Sequence, residues 1–200
     1  MPRIVAGAAR GRRLDVPAGR ATRPTSDRAR EALFSTLEAM LRTMAGRRVL
    51  DLYAGSGAVG LEALSRGARL VVLVDDDRRA AAALRANVER LALPGATVVV
   101  SDVARHLDAA SSDDAYDVVF LDPPYASDDD EVRAVVGRVV ARGLLAPGGV
   151  VVVERPTRGL PWRWPEGVVP DRQRAYGEGT LWYGRAAGSG EPPEPPSPRE

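Results

Sequence analysis

Short apolar runs recur along the middle of the chain, and most are followed by a segment whose apolar residues repeat every three or four positions. The runs predict strands over 48–52, 70–75, 96–102, 116–122 and 148–154. The periodic segments between them predict helices over 57–67, 77–93 and 129–145. Strands and helices that alternate in this way indicate right-handed βαβ units around a buried parallel sheet. We therefore expect an α/β, Rossmann-like fold with a mostly parallel central sheet and helices on both faces.

The segment before this alternation predicts a β-hairpin and a helix. Residues 1–22 form the hairpin, because "PRIVAG" and "RRLDVP" flank the turn-like "AARG". The helix begins at about Ser26, with Thr25 or Ser26 as its cap. Arg28 and Arg30 lie away from its apolar stripe, which is formed by Leu33, Leu37, Met40, Leu41 and Met44.

Near the other end, "TLWYGR" (180–185) predicts a last strand. A hairpin between this strand and the segment near Val168 and Val169 would close the sheet. The segment 187–200 is rich in proline, glycine and glutamate and has no apolar anchor, so we expect it to be disordered.

Charge is distributed unevenly along the 200 residues. Residues 1–50 hold eleven arginines against four acidic residues, whereas the other 150 residues hold 17 arginines against 23 acidic residues. A basic arm on an acidic body predicts a polyanionic partner together with a cationic ligand. Compositional drift is the alternative, since all 28 lysine-plus-arginine positions are arginine.

Missing residue types exclude several chemistries. The chain has no cysteine, so disulfides, zinc–thiolate sites, iron–sulfur clusters and cysteine nucleophiles are excluded. His106 is the only histidine, which excludes histidine clusters, and we interpret it as an ordinary helix residue. We expect no metal site. No apolar run approaches the ~20 residues of a membrane span and no signal peptide opens the chain, so a cytoplasmic protein without a membrane partner is expected.

The stretch "VLDLYAGSGAVG" contains Gly55-x-Gly57-x-x-Gly60 between a strand and a helix, which matches the dinucleotide-binding fingerprint. Asp51 ends the strand four residues before Gly55, and its carboxylate would repel a pyrophosphate. S-adenosylmethionine (SAM) has no phosphate and carries an ammonium and a sulfonium group. The glycine loop therefore favours SAM over a nicotinamide dinucleotide.

Acidic residues follow the ends of four successive predicted strands: Asp51, Asp75, Asp102 and Asp122. Ligands of open α/β sheets bind at the carboxyl ends of the strands, so these carboxylates should converge on one cationic ligand. Asp51 would bind the methionine ammonium group, Asp75 the ribose hydroxyls, and Asp102 the adenine amino group beside the Val103 backbone.

Four further residues complete the predicted cofactor site. Gly55 and Gly57 would let the backbone approach the ligand closely, and Tyr53 lies in the same loop. Because Asp75 begins a run of three aspartates, the ribose-binding position can shift by one to Asp76.

The stretch "FLDPPY" predicts the methyl-acceptor site. The lone pair of an exocyclic amine is conjugated with its planar ring. Two acceptors that receive hydrogen bonds from its two N–H groups are therefore needed to turn the lone pair toward the methyl group. The Asp122 carboxylate and the Pro123 carbonyl provide two such acceptors. Pro123 and Pro124 restrain the backbone, and Tyr125 can stack on the base.

Six stretches carry a family resemblance: "MPRIVAGAARGRRLDVP", "TRPTSDRAREALFSTL", "VLDLYAGSGAVGLEALSRGA", "VDDDRRAAAALRANV", "FLDPPY" and "YGEGTLWY". Together they resemble the bacterial RsmD-type family, whose members methylate N2 of one guanine in 16S rRNA. The resemblance implies a class I SAM-dependent methyltransferase fold, a monomer, and the assembled or assembling 30S subunit as substrate. The arm arginines would then hold rRNA phosphates: Arg10, Arg12, Arg13, Arg23, Arg28 and Arg30.

These expectations divide the chain into a basic RNA-binding extension (1–45), a SAM-dependent methyltransferase domain (46–186) and the tail (187–200). Methylation of adenine N6 in DNA or of a protein glutamine uses the same acceptor chemistry and stays open, although the chain has no separate target-recognition domain. An oxidoreductase that binds NAD and a non-enzymatic RNA-binding assembly factor are the alternatives of other classes.

Overall fold

The computed structural model describes residues 2–16 and 26–188. Across this part of the chain, seven strands form one sheet in the order β3-β2-β1-β4-β5-β7-β6. The strands are β1 (Arg48–Leu52), β2 (Leu70–Asp75), β3 (Ala96–Val100), β4 (Tyr116–Leu121), β5 (Leu145–Pro156), β6 (Val168–Tyr176) and β7 (Gly179–Ala186). The first five pair in parallel, and β7 pairs antiparallel with both β5 and β6. The predicted mostly parallel sheet with a terminal hairpin is confirmed.

Five α-helices cover the two faces of the sheet within the described residues: α1 (Asp27–Leu41), α2 (Ala58–Ser65), α3 (Arg78–Leu91), α4 (Val103–Ala109) and α5 (Asp129–Ala141). Helices α1, α2 and α3 share one hydrophobic cluster with residues such as Val49 and Phe120, and α4 and α5 share the other with residues such as Leu50 and Val119. Helix α4 contains His106, which was interpreted as a helix residue, but its bounds were not predicted, because its seven residues are too few to show a clear period. None of the helices in 2–16 and 26–188 combines the length and apolarity that a membrane span requires.

Residues 2–16, which we call the arm, fold back on themselves as predicted, but their ladder is a single antiparallel bridge between Arg3 and Arg13. Leu14 N–H donates to Pro2 O at 2.9 Å, and the side chains of Ile4 and Leu14 are fully buried in the same cluster as α1. The remaining part of the predicted hairpin (17–22), the alternative cap Thr25 and residues 189–200 of the predicted tail lie outside the described residues.

Two polar side chains of α2 hold the arm. The fully buried Glu62 accepts from Val5 N–H at 2.7 Å and from Ala6 N–H at 2.9 Å. Ser65 Oγ accepts from Ala9 N–H at 2.9 Å. A Cβ at Gly7 (φ +81°) would come within 1.8 Å of the Ser65 carbonyl oxygen, so this close approach requires glycine.

Helix α1 begins where the arm contacts it. Ser26 caps the helix by accepting from Ala29 N–H at 3.1 Å. Arg28 is exposed as expected, but the prediction for Arg30 was wrong, because its side chain is fully buried. Arg30 Nη2 donates to Arg3 O at 2.5 Å and to Asp27 at 2.7 Å, so Arg30 joins the arm to α1 instead of facing solvent.

Candidate active site

The glycine loop connects β1 to α2 and forms the floor of the site. Gly57 caps α2 in the left-handed conformation (φ +78°), and a Cβ there would lie 2.3 Å from Leu84 Cδ1. Both observations require glycine at this position. Asn87, fully buried on α3, donates to Ser56 O and to Asp15 O, each at 2.9 Å. The loop is therefore held from below by α3, which also binds the end of the arm.

Asp51 lies beneath this loop at the end of β1. It is 2% exposed, and its Oδ2 accepts from Gly60 N–H at 2.9 Å. Burial, reinforced by the charge of Asp75, raises the pKa of Asp51 to about 7 despite the hydrogen bond from Gly60. A cation placed beside this carboxylate would favour its ionised form.

Asp75 and Asp76, in the acidic run at the end of β2, differ in burial and in their contacts. Asp75 is buried, and its two oxygens accept from Gly55 N–H at 2.8 Å and from Asp77 N–H at 2.9 Å. Asp76 is exposed and lines the cleft above. Asp75 therefore shapes the loop, and Asp76 is the more accessible of the two acids that were predicted as ribose ligands.

Asp102, at the start of α4, and Tyr53 also line the cleft. Asp102 caps α4 by accepting from Arg105 N–H at 2.9 Å, and Val103 beside it is buried. Burial, followed by the charges of Asp102 and Asp76, raises the pKa of Tyr53. The predicted adenine-binding acid, Asp102, and the predicted alternative ribose-binding acid, Asp76, are therefore close enough for their charges to act on Tyr53.

The predicted cofactor and acceptor residues meet in one cleft of about 910 Å³. Gly57, placed beneath the cleft, is the one predicted cofactor residue that is not among its described wall residues. Seven of the described wall residues are acidic: Asp51, Asp75, Asp76, Asp102, Asp122, Glu154 and Glu178. A cavity with this charge suits a cationic ligand.

The Asp-Pro-Pro-Tyr stretch follows β4 directly and forms the rim of the cleft. Pro124 O accepts from Ser127 N–H at 2.9 Å, which closes the turn. Tyr125 is 48% exposed, so a ligand in the cleft can reach it. Burial, followed by the charges of Glu154 and Asp51, raises the pKa of Asp122 well above its ordinary value, although Arg155 opposes the shift.

Two residues that were not predicted, Glu154 and Arg155, lie near the end of the neighbouring strand β5. Arg155 is 8% exposed and donates to Ser127 O and to Asp129 Oδ1, each at 2.7 Å. It therefore holds the loop that carries Asp122. The signal that could have revealed Glu154 is the one used for the other acids, because it directly follows an apolar parallel strand.

The predicted RNA-binding arginines differ in their exposure. Arg10 and Arg13 are exposed on the arm, and Arg28 is exposed at the start of α1. Arg12 is also exposed but donates to Arg90 O and Leu91 O at the end of α3, where it caps the helix.

The buried Arg30 cannot present its guanidinium to a phosphate, so its assignment to an RNA-binding surface is corrected. Arg23 lies outside the described residues.

The strand order, the glycine loop and the acids at the carboxyl ends of the strands define a class I SAM-dependent methyltransferase fold, as the sequence predicted. The chain belongs to the family described as "Conserved hypothetical protein 95", whose profile matches residues 2–185. The resemblance to the RsmD-type family is thereby confirmed.

Similar proteins agree with this assignment. "Ribosomal RNA small subunit methyltransferase D" of Escherichia coli (strain K12) is 37% identical over 160 residues, which cover 80% of this chain and 77% of that protein. A solved hypothetical protein from Thermus thermophilus is 39% identical with a TM-score of 0.77, and the match covers 93% of this chain and 100% of that one.

A magnesium protoporphyrin IX methyltransferase from Synechocystis, solved with bound SAM, shares the fold alone at 14% identity. Its TM-score is 0.59, and the match covers 78% of this chain and 79% of that one. The small-subunit rRNA methyltransferase relatives, which are more than 30% identical, make the chain a methyltransferase.

Proposed function

We propose that this enzyme transfers a methyl group from SAM to the exocyclic N2 amine of a specific guanine in 16S rRNA, within the 30S subunit or its assembly intermediate. The observation that carries the proposal is the meeting of the Asp122–Tyr125 acceptor stretch with the acid-lined cofactor residues in one cleft. The small-subunit rRNA methyltransferase among its relatives supports the choice of RNA.

The residues of the cleft fit SAM in charge. Asp51, buried at the end of β1, would pair with the methionine ammonium group, and its raised pKa falls when a cation is bound. Asp76 would accept from the ribose hydroxyls, with Asp75 holding the loop below. Asp102 would accept from the adenine amino group, beside the buried Val103, and Tyr53 would cover the same region. When bound, SAM supplies the methyl group and leaves as S-adenosylhomocysteine.

The protein's part in the reaction is to orient the amine. The Asp122 carboxylate and the Pro123 carbonyl accept hydrogen bonds from the two N–H groups of N2, so the nitrogen lone pair turns out of the ring plane. Pro124 limits movement of that carbonyl, and Tyr125 stacks on the base. As the N–CH₃ bond forms, the nitrogen loses one proton, which Asp122 or water accepts.

The arm and the start of α1 provide the electrostatic contacts to RNA. Arg10, Arg13 and Arg28 would bind phosphates, while Arg12 holds the arm against α3. Such contacts position the RNA without reading its sequence, and the target base has to leave its stack or lie in a loop. The enzyme acts as a monomer in the cytoplasm, where ribosomal subunits assemble.

The seven acids of the cleft disfavour NAD, because a pyrophosphate would be repelled. Calorimetry with SAM and with NAD tests this directly. Micromolar binding of SAM without NAD binding is expected, and NAD binding without SAM binding would reject the proposal.

The substrate is tested by transfer of tritiated methyl groups to unmethylated 30S subunits, naked 16S rRNA, DNA and a glutamine-containing protein extract. We expect label in 30S subunits or their assembly intermediates. Asp122→Ala should lose the transfer and keep SAM binding. If this variant methylated normally, the acceptor site would be misassigned.

A further inference from the structure

Glu154 and Asp122 lie side by side at the carboxyl edge of the sheet. Strands β4 and β5 pair in parallel with Leu121 opposite Val153, so Asp122 and Glu154 are the next residues on adjacent strands. Adjacent strands are about 4.8 Å apart. Phe120 and Val152, two positions earlier, belong to the same hydrophobic cluster. Because side chains alternate along a strand, the two carboxylates face the same side of the sheet.

Glu154 also lines a second cavity, of about 590 Å³, between the start of α1 and the turn that joins β6 to β7. Arg28 and Tyr176 lie in its wall, and Tyr125 and Glu178 are shared with the cofactor cleft. A planar base that stacks on Tyr125 with its edge toward Asp122 would enter from this cavity. Glu154 would then meet the edge of the base.

The first residue of β7 leaves room for this carboxylate. A Cβ at Gly179 would lie 2.6 Å from Glu154 Oε1. Contact at that distance does not occur without displacement, so any side chain here would push the carboxylate away. Glycine at 179 therefore keeps Glu154 in place between the two cavities.

Two neighbouring carboxylates favour ligands that donate hydrogen bonds and disfavour ligands that present lone pairs. The guanine edge is N1–H beside the N2 amine, so it donates at both positions. Adenine presents a lone pair at N1 beside its N6 amine, and a glutamine side chain has a single amide group. Among guanine, adenine and glutamine, guanine is therefore the substrate that can donate a hydrogen bond to a second carboxylate.

We propose that Glu154 selects guanine by accepting a hydrogen bond from N1–H, while Asp122 and the Pro123 carbonyl accept from N2. This inference rests on the proposed function and extends it to the choice of base. Glu154 thereby recognises the base, and Asp122 orients the reacting nitrogen.

The test compares guanine with 2-aminopurine, which keeps the 2-amine but has a lone pair at N1. After the methylated position is mapped, 30S subunits are reconstituted with either base at that position. Initial rates are measured for the wild type, Glu154→Gln, Gly179→Ala and the exposed control Glu166→Gln. Calorimetric SAM affinity and thermal unfolding show whether each variant is folded.

The wild type and Glu166→Gln should prefer guanine by about 10- to 100-fold, the range expected for a hydrogen bond to a charged group. Glutamine can accept from guanine or donate to 2-aminopurine, so Glu154→Gln should bring the preference close to one while SAM affinity is kept. Gly179→Ala should weaken the preference by displacing the carboxylate without removing its charge.

An unchanged preference in Glu154→Gln, or equal losses on both bases, would overturn the assignment, since Glu154 would then act only on structure or charge. Failure of the proposed function is recognised separately, in the measurements on the wild-type enzyme. A wild type that forms no N2-methylguanosine would reject both proposals together.

Discussion

Arg155 donates from Nη2 to the carbonyl oxygen of Ser127 at 2.7 Å, and thereby ties β5 to the loop that carries Asp122–Tyr125. Its Nε donates to Asp129 at the start of α5, also at 2.7 Å. A planar guanidinium can make both bonds at once, whereas an ammonium cannot hold the same geometry. The acceptor loop is thus fixed from the strand beside it.

Replacing Arg155 with lysine should therefore loosen the acceptor loop without removing the charge. We expect kcat to fall by about 10- to 100-fold, since small misplacements of reacting groups have effects of this size, with SAM affinity little changed. Steady-state kinetics on 30S subunits measure the effect, and Arg158→Lys in the exposed loop after β5 is the matched control. Equal kcat values for the two variants would exclude the positioning role.

Asp51 makes the SAM-free protein less stable as pH rises. Its pKa is about 7 in the folded protein against 3.8 as the ordinary value. The folded state therefore binds more protons between these values, and stability is lost as pH rises from about 4 to about 7. At 1.36 kcal/mol per pKa unit, the loss is on the order of 4 kcal/mol.

Asp51→Asn should remove this dependence. Above pH 7 the SAM-free variant should be more stable than the wild type by a few kcal/mol, and near pH 4 the difference should vanish. Its SAM affinity should fall, because the partner of the ammonium group is lost. Urea unfolding across pH 4–8 tests the prediction, with exposed Asp113→Asn as the control. A parallel pH dependence in wild type and variant would contradict it.

The raised pKa of Asp122 predicts an acid limb in the pH–rate profile. Burial, followed by the charges of Glu154 and Asp51, raises that pKa, so the acceptor form of the carboxylate appears only at higher pH. The kcat/KM value should rise with pH until Asp122 is ionised. Asp122→Asn keeps an acceptor oxygen but cannot titrate, so it should be slower and should lack the part of the limb due to Asp122. If the full acid limb persisted in Asp122→Asn, it would have to arise from another ionisable group.

Glu62 anchors the arm through two backbone N–H groups, and it also accepts from Arg66 Nε, just after α2, at 2.9 Å. Glu62→Ala would remove the acceptor of two partly buried backbone N–H groups, so the free energy of unfolding should fall by about 1–3 kcal/mol for each of them. Limited proteolysis should then cut the arm faster than in the wild type. Exposed Glu89→Ala is the control, and an arm that stays protected in Glu62→Ala would mean that other contacts suffice to hold it.

Phosphate contacts by the arm predict a change in the salt dependence of RNA binding. Each lost contact should reduce the slope of log K against log salt by about 0.7–0.9, so Arg10→Ala with Arg13→Ala should reduce it by nearly two. SAM binding should stay unchanged. Arg69→Ala, exposed at the amino end of β2 and on the opposite edge from the site, should leave the slope unaltered. Equal slopes for the wild type, the double variant and Arg69→Ala would show that Arg10 and Arg13 do not contact RNA phosphates.

Local patterns predicted the sheet and the cleft because both follow from where apolar runs stop. Asp51, Asp75, Asp102 and Asp122 end or follow successive strands, and parallel strands bring their carboxyl ends to one edge. The pattern did not distinguish Asp75, which bonds to Gly55, from the exposed Asp76. That difference depends on how the loop folds over β2.

Buried charged residues were outside the reach of sequence patterns. Arg30 and Glu62 look like surface residues of amphipathic helices, but the arm covers both of them. Their partners are backbone groups of residues 3, 5 and 6, which are far away in the chain. Arg155 was missed for a related reason, since only the pairing of β5 beside β4 brings it to the acceptor loop. Glu154, in contrast, follows an apolar run as the predicted acids do.

The identity of the methylated nucleoside tests the account most directly. Unmethylated 30S subunits are labelled with tritiated SAM and the purified enzyme, and the 16S rRNA is digested to nucleosides and separated. We predict that the label elutes with N2-methylguanosine, at one position, and that Asp122→Ala abolishes it. Label in N6-methyladenosine, or in protein instead of RNA, would contradict it.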